Sequence, residues 1–259
     1  MPPSNVIHVG EGFWNIRGSL KIGGILDVKT HASLVRRKGG GYVMLDACEL
    51  DEATRSWIAE QTNGGDAIEA VLHLHPFHTL FVRALHEAYP KAKLYGTARH
   101  KRLASELSWE TEETDQAALH ALFADDLDFS VPRGVDFIPK NENLHFASVL
   151  AFHGATKTLH VDDTLCYAKL PAPFSWWKKE MLAFHPSLAK VLERRAGAVS
   201  DFRSWTTELV DRIQSVENLC AAHTSVLLKG AGGESIVDRV SDAVGGLEGK
   251  LAAHERKYG

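Results

Sequence analysis

Cysteine is scarce in this chain: Cys48, Cys166 and Cys220 are the whole complement, and they stand far apart. An odd, scattered set argues against a disulfide framework and for buried free thiols, although any one of them could touch a metal. Long apolar runs are missing as well, and none approaches the roughly 20 residues needed to cross a bilayer. Positive charge is not in excess, since 29 Lys and Arg stand against 33 Asp and Glu for a net charge of −4. With a pI near 6.4 there is no electrostatic footprint for nucleic acid or an anionic membrane. The start, Met1-Pro2-Pro3-Ser4-Asn5, lacks the basic and apolar regions of a signal peptide, so cytoplasmic residence is the expectation. Short tandem repeats and low-complexity tracts are also lacking.

What remains is an ordinary globule of 259 residues, 44% hydrophobic and 24% charged, long enough for one large domain or two small ones. Alternating apolar residues predict strands over 13–18, 22–28, 32–35 and 42–46, with a Gly39-Gly40-Gly41 turn before the last. A helical period covers 52–63, followed by a strand over 68–74, a helix over 80–89, a strand over 93–96 and a helix over 98–107. The acidic stretch 110–126 reads as helix-prone and solvated. The second half opens with strands again, 143–152 and 158–161 as a hairpin around Gly154-Ala155. It then turns mostly helical from 171, with helices over 189–196, 202–215 and 236–257 and a short strand over 219–222. This alternation of strand and helix predicts an α/β layered fold in one domain.

The feature that carries chemistry is histidine, of which there are 14. Val71-Leu72-His73-Leu74-His75 runs into Pro76-Phe77-His78, which places three histidines within six positions at the end of an apolar run. On a strand, residues two apart share a face, so His73 and His75 point the same way. Pro76 ends the extended run, and His78 can swing back from the loop that follows. Imidazole is the commonest protein ligand for divalent transition metals, so the triplet predicts a metal site. Three further residues end predicted strands or begin them: His145, Asp163 and His223. Ligands placed at strand ends can gather at one edge of a sheet, where α/β folds build their sites.

This ordered series resembles the metallo-β-lactamase superfamily from about Gly12 to His223. Leu45-Asp46-Ala47-Cys48 is similar to the family's early aspartate turn, and residues 71–78 to its His-x-His-x-Asp-His motif. His145 with Ser148-Val149-Leu150 is similar to the third histidine and its following strand. Residues 158–165 resemble the segment that usually ends Gly-Asp-Thr, and Ala222-His223 the last position. The chain departs from the pattern where Phe77 replaces the motif's aspartate, Asp162 and Cys48 each replace a glycine, and His145 lacks the Thr-Pro-Gly after it.

The resemblance implies a four-layer αββα sandwich over residues 1–259, with a helical substrate-pocket segment over about 171–215. It implies one metal on His73, His75 and His145 and another on His78 and His223, with Asp163 bridging both. Nitrogen ligands with one carboxylate suit zinc, in one or two ions, or iron. The implied activity is metal-assisted hydrolysis of an ester, lactone, amide or thioester in a small molecule, with Asp163 as a catalytic carboxylate. Asp162 is the candidate to replace the carboxylate missing at Phe77, or else an acid at a strand end that faces solvent. A catalytically degenerate metal-binding protein and an iron-dependent oxidoreductase of the same fold stay open as alternatives, because Phe77 can neither coordinate nor accept a proton. Asp46 is expected to hold the histidine loops by hydrogen bonds, His160 to be structural, and His153 to be exposed. Phe174, Trp176 and Trp177 form an apolar cluster that either lines a pocket or packs as core or dimer contact. A small molecule is the expected partner, with no nucleic acid or membrane, and association into a homo-oligomer is left open.

Overall fold

The computed structural model of the chain describes residues 1–22, 26–169, 180–223, 225–231 and 233–259. Its backbone divides into two compact units, residues 1–128 with 153–156 and residues 129–152 with 157–259.

The first unit is built on a seven-stranded sheet of β1 (Val6–Gly10), β2 (Phe13–Gly18), β5 (Thr30–Arg36), β6 (Tyr42–Leu45), β7 (Ile68–Leu72), β8 (Lys93–Gly96) and β9 (Trp109–Glu113), in that spatial order. A separate two-stranded ladder joins β3 (Lys21–Ile22) to β4 (Leu26–Asp27). Strands β1, β2, β5 and β6 pair antiparallel, and β6 to β9 pair parallel. The change of sense follows from the connections, because parallel neighbours need a crossover. Helices α1 (Glu52–Gln61), α2 (Val82–Ala88) and α3 (Ala98–Leu103) supply those crossovers, and α4 (Ala117–Leu122) follows β9. Helix α1 begins where the Asp51 carboxylate accepts the Thr54 amide at 2.8 Å, satisfying one of the donors a helix start leaves open. Ile68, Ala70, Val71 and Leu72 of β7 are all buried, as a central parallel strand requires.

The second unit carries a five-stranded sheet in the order β10 (Asp128–Ser130), β11 (Leu150–His153), β12 (Thr158–Val161), β15 (Asn218–Ala221) and β16 (Val226–Leu227). β12 and β15 are parallel, with Val161 opposite Ala221. Strands β13 (Leu165–Lys169) and β14 (Glu180–Phe184) form an antiparallel pair. Helices α5 (Leu188–Val191), α6 (Ala198–Arg212), α7 (Ile236–Gly245) and α8 (Glu248–Tyr258) complete the unit. The buried residues of α6, Ala198, Val199, Phe202, Trp205, Thr206 and Leu209, fall on one stripe at helical spacing. Among the described residues no helix is long and apolar enough to cross a membrane.

The α/β class predicted from the sequence holds, and several boundaries move for identifiable reasons. The strand over 68–74 stops at Leu72, with one last ladder bond from the His73 amide to Tyr95 O at 3.0 Å. The acidic stretch is strand β9 and helix α4 rather than one helix, because Trp109 pairs with Leu94 at the sheet edge. The helix over 189–196 shrinks to Leu188–Val191, since Leu192 turns extended and bridges Val135. Strand β14 falls in a stretch read as helical, only the end of 143–152 is strand, and β1 was not foreseen. His153 is buried rather than exposed, with Nδ1 2.8 Å from Thr156 Oγ1. The strand over 22–28 includes residues 23–25, which lie outside the described residues.

Cys48, where the resemblance expects glycine, is accommodated by a glycine elsewhere. A Cβ on Gly18 would lie 2.9 Å from Cys48 Cβ, 2.5 Å from Thr30 Oγ1 and 3.0 Å from the Glu49 amide nitrogen. Gly18→Ala is therefore expected to destabilise the chain by about 1–3 kcal/mol through overpacking. Adding Cys48→Gly should recover only part of the loss, because the Glu49 backbone stays in the way. Thermal melts of the two variants check both statements.

Candidate metal centre

In the first unit, the parallel pairing of β6 with β7 sends the chain out of both strands at the same edge. Asp46 leaves β6 and the histidine segment leaves β7, with Leu45 opposite Leu72. The Asp46 amide donates to Leu72 O and its buried Oδ1 accepts the Leu74 amide, each at 2.8 Å. Asp46 adopts φ +57°, a left-handed conformation that costs most residues energy and that aspartate tolerates better. The aspartate thus fastens the histidine loop to the neighbouring strand, as expected for it.

His73 and His75 are fully buried and His78 is half-buried. The His75 and His78 rings stack with centroids 4.1 Å apart, and each offers a donor atom within 4.8 Å of the other. Nδ1 of His75 accepts the Phe77 amide at 3.1 Å, so an ion taken at that nitrogen replaces the amide as its partner. The His73 carbonyl accepts from Thr114 Oγ1 at 2.8 Å. Its ring lies 5.2 Å from that of His100 and edge-on to Trp109.

Two residues missed in the sequence shape this set. Nδ1 of His100 accepts the Thr97 amide in a capping box at the start of α3. Burial, with the nearby imidazoles and Arg99 adding to it, pushes the His100 imidazole down to about 3, so it stays neutral. Arg99 is 8% exposed; it donates to Pro76 O at 3.0 Å and its guanidinium lies 4.4 Å over the Phe77 ring. The residue in place of the expected carboxylate is therefore an aromatic shelf under a buried cation. Asn15 holds the buried His31, 3.2 Å from its Nδ1, and His31 and Asp46 offer atoms within 4.8 Å of each other.

The second unit repeats the arrangement. Its parallel pair β12 and β15 ends at Val161 and Ala221, and Asp163 and His223 follow two residues beyond each. Asp163 is 3% exposed and its Oδ1 lies 2.8 Å from His223 Nε2. His223 takes φ +67°, a strained value of the kind that gathers at functional positions. Thr164 Oγ1 accepts the Ser148 amide at 2.9 Å and donates to Phe146 O at 3.0 Å, tying the segment after His145 to the aspartate loop. Asp162 and His160 are buried and have donor atoms within 4.8 Å of each other.

His145 is half-buried, with Nε2 2.8 Å from Glu142 O; that nitrogen donates, and Nδ1 keeps the lone pair. Its carbonyl accepts from Ser187 Oγ, which in turn is 2.7 Å from His185 Nδ1. The Ser187 amide also donates to His185 Nδ1 at 3.2 Å, so that nitrogen accepts and the neutral ring carries its proton on Nε2. Burial lowers the His185 pKa, Asp163 opposes that, and His145 and His223 add to it. The sequence hid it because His185-Pro186-Ser187 follows β14, a strand that was not foreseen. Phe174, Trp176 and Trp177 lie outside the described residues.

The donors suit a divalent transition metal: neutral imidazole nitrogens with buried carboxylates. Burial pushes the Cys48 and Cys166 thiols up to about 12, and among the described residues the groups of close donor atoms contain no cysteine.

No protein-family model matches the chain, and no curated protein does. Solved structures do. A metallo-β-lactamase from Erythrobacter litoralis, with β-mercaptoethanol in its active site, is 14% identical with a TM-score of 0.59, over 95% of this chain and 99% of that one. One from Hirschia baltica is 14% identical with a TM-score of 0.57, over 92% and 96%. FIM-1 from Pseudomonas aeruginosa, in a mono-zinc form, is 11% identical with a TM-score of 0.55, over 95% and 96%.

Removing the loop fastener separates its two contributions. Asp46→Ala is expected to cost about 1–3 kcal/mol by leaving the buried Leu74 amide without its acceptor. Asp46→Asn keeps an acceptor oxygen and tolerates the left-handed backbone, so it should cost less. Urea unfolding of both variants measures the difference.

Proposed function

We propose, from a chain that carries the metallo-β-lactamase fold, a metal-dependent hydrolase of a small-molecule ester, lactone, amide or thioester. The observation that supports this most is the pairing of buried Asp163 with His223 at 2.8 Å past the ends of two parallel strands. In the proposal His73, His75, His78, His145, Asp163 and His223 are the metal ligands, and zinc is the ion their nitrogen-rich set suits best.

A bound zinc ion would supply a water with its pKa lowered to about 7 and a Lewis acid for the carbonyl oxygen. The chain's own groups divide the remaining work. Asp163 orients the His223 ring, and Asp46 stiffens the loop that carries three of the ligands. Asp162, 1% exposed, is assigned the proton carried from water to leaving group, since Phe77 cannot take it. Phe77 and Arg99 keep bulk water from the His75 side.

The shelf that Phe77 makes for Arg99 favours a second reading, a protein that binds metal without hydrolysis. Redox use of iron is the remaining alternative.

Metal analysis of purified protein with a panel of p-nitrophenyl esters, thioesters, lactones and amides tests the proposal. The expected result is bound zinc and turnover of at least one class, abolished by a chelator and lowered about 100-fold or more in Asp162→Asn. Zinc bound by His73, His75 and their partners with no turnover on the panel selects the non-hydrolytic reading, and iron with a visible band selects redox. Metal content unchanged in Asp163→Ala and His75→Ala overturns the ligand assignment. Phe77→Asp is expected to raise the number of ions bound per chain, read by equilibrium dialysis.

A further inference from the structure

The second unit contains a cavity of about 590 Å³ whose lining includes none of its histidine and aspartate donors, walled by α5, the residues after it, and α8. Lys190, Arg194, Lys250 and Lys257 line it together with His254, and no Asp or Glu does. All four cations are exposed, and among the described residues none of them is in an ion pair. That is unusual for this chain, which carries a net negative charge and pairs most of its other arginines.

The pattern on α8 explains how the charges separate. Residues 250, 253, 254 and 257 share one face at helical spacing, and all four line the cavity. Glu248 and Glu255 lie on another face, where both bind Arg203 of α6, Glu255 at 2.9 Å. Glu193, beside α5, is likewise taken by Arg195 at 2.6 Å, and its carbonyl receives His254 Nε2 at 3.0 Å. Glu193, Glu248 and Glu255 are thus turned to other partners while the cations stay on the cavity side. Apolar surface completes the wall: Leu144, Leu192 and the Tyr258 ring. That ring lies 4.6 Å from His254 and 5.0 Å from Lys257 Nζ.

We propose that this cavity binds a small molecule bearing two or more phosphate groups, held by Lys190, Arg194, Lys250 and Lys257, with a flat apolar portion against Tyr258. The volume is that of a small-molecule site. Four cations with no acid call for a ligand with several negative charges. Phosphate oxygens match the arginine fork and the lysine point charges. A nucleic-acid strand fits less well, because the cations line one concavity instead of an extended track. The proposal is independent of hydrolysis at the metal centre.

Calorimetric titration of the full chain with inorganic triphosphate and with ATP tests it, in buffer containing EDTA so that no metal mediates the binding. Both probes should bind, ATP several-fold more tightly, and 0.5 M salt should weaken each. Lys250→Glu with Lys257→Glu should weaken both by about tenfold or more, and Lys190→Glu with Arg194→Glu should do the same if the first pair fails to fold. Tyr258→Ala should remove the advantage of ATP over triphosphate. The proposal fails if the wild type binds neither probe, if the charge reversals leave binding unchanged, or if only a single-stranded oligonucleotide binds. Binding unchanged in His75→Ala separates this outcome from any failure at the metal centre.

Discussion

The hydrogen bond from the Leu74 amide to Asp46 Oδ1 is the contact on which the first set of donors depends. β7 has ended at Leu72, so beyond it the ladder no longer dictates where the backbone goes. A carboxylate from the adjacent strand takes over that task. It is itself buried, so it needs donors around it, and the loop amide is one. The backbone of Asp46 is left-handed to aim it there. Histidines fixed in this way lose little further freedom when they take up a ligand, which is what preorganisation requires of a binding set.

Each unit solves the same problem by the same means. Parallel strands finish at one edge, and polar residues placed just after them arrive side by side without long loops. In the second unit the register of β12 and β15 brings Asp163 and His223 together from positions about 60 residues apart in sequence. Thr164 then plays the part that Asp46 plays in the first, receiving one amide and donating to one carbonyl across the loop. Apolar strands that are buried on both faces leave no room for these polar groups before the strand ends, so the position of the donors follows from the burial of the strands.

Much of this was legible in the sequence. The histidine triplet, Asp46, Asp163 and His223 announce themselves because each follows an apolar run short enough to be a buried strand. His100, Arg99, His31 and His185 did not. Arg99 and His100 lie on a six-residue helix, too short for a periodic pattern to show which side faces inward. His31 falls just before the strand predicted over 32–35, whereas β5 already begins at Thr30. His185 depends on β14, whose residues Glu180-Met181-Leu182-Ala183-Phe184 read as helix until their pairing with β13 is known. Long-range partners decide all four, and a single sequence carries no direct signal of them.

Phe77 is the point at which local and distant effects meet. Taken alone it removes a carboxylate from a ligand motif. In the structure it also places an aromatic face under the Arg99 guanidinium. A cation over a ring gains a modest electrostatic attraction, and the ring carries no charge to be desolvated. Arg99 is in addition anchored through Pro76 O, so it braces the turn between His75 and His78 from outside. The substitution therefore exchanges a potential ligand for a more rigid loop. Under the ligand set proposed above, one carboxylate fewer beside the imidazoles would favour fewer or less charged ions than a site with that carboxylate would hold.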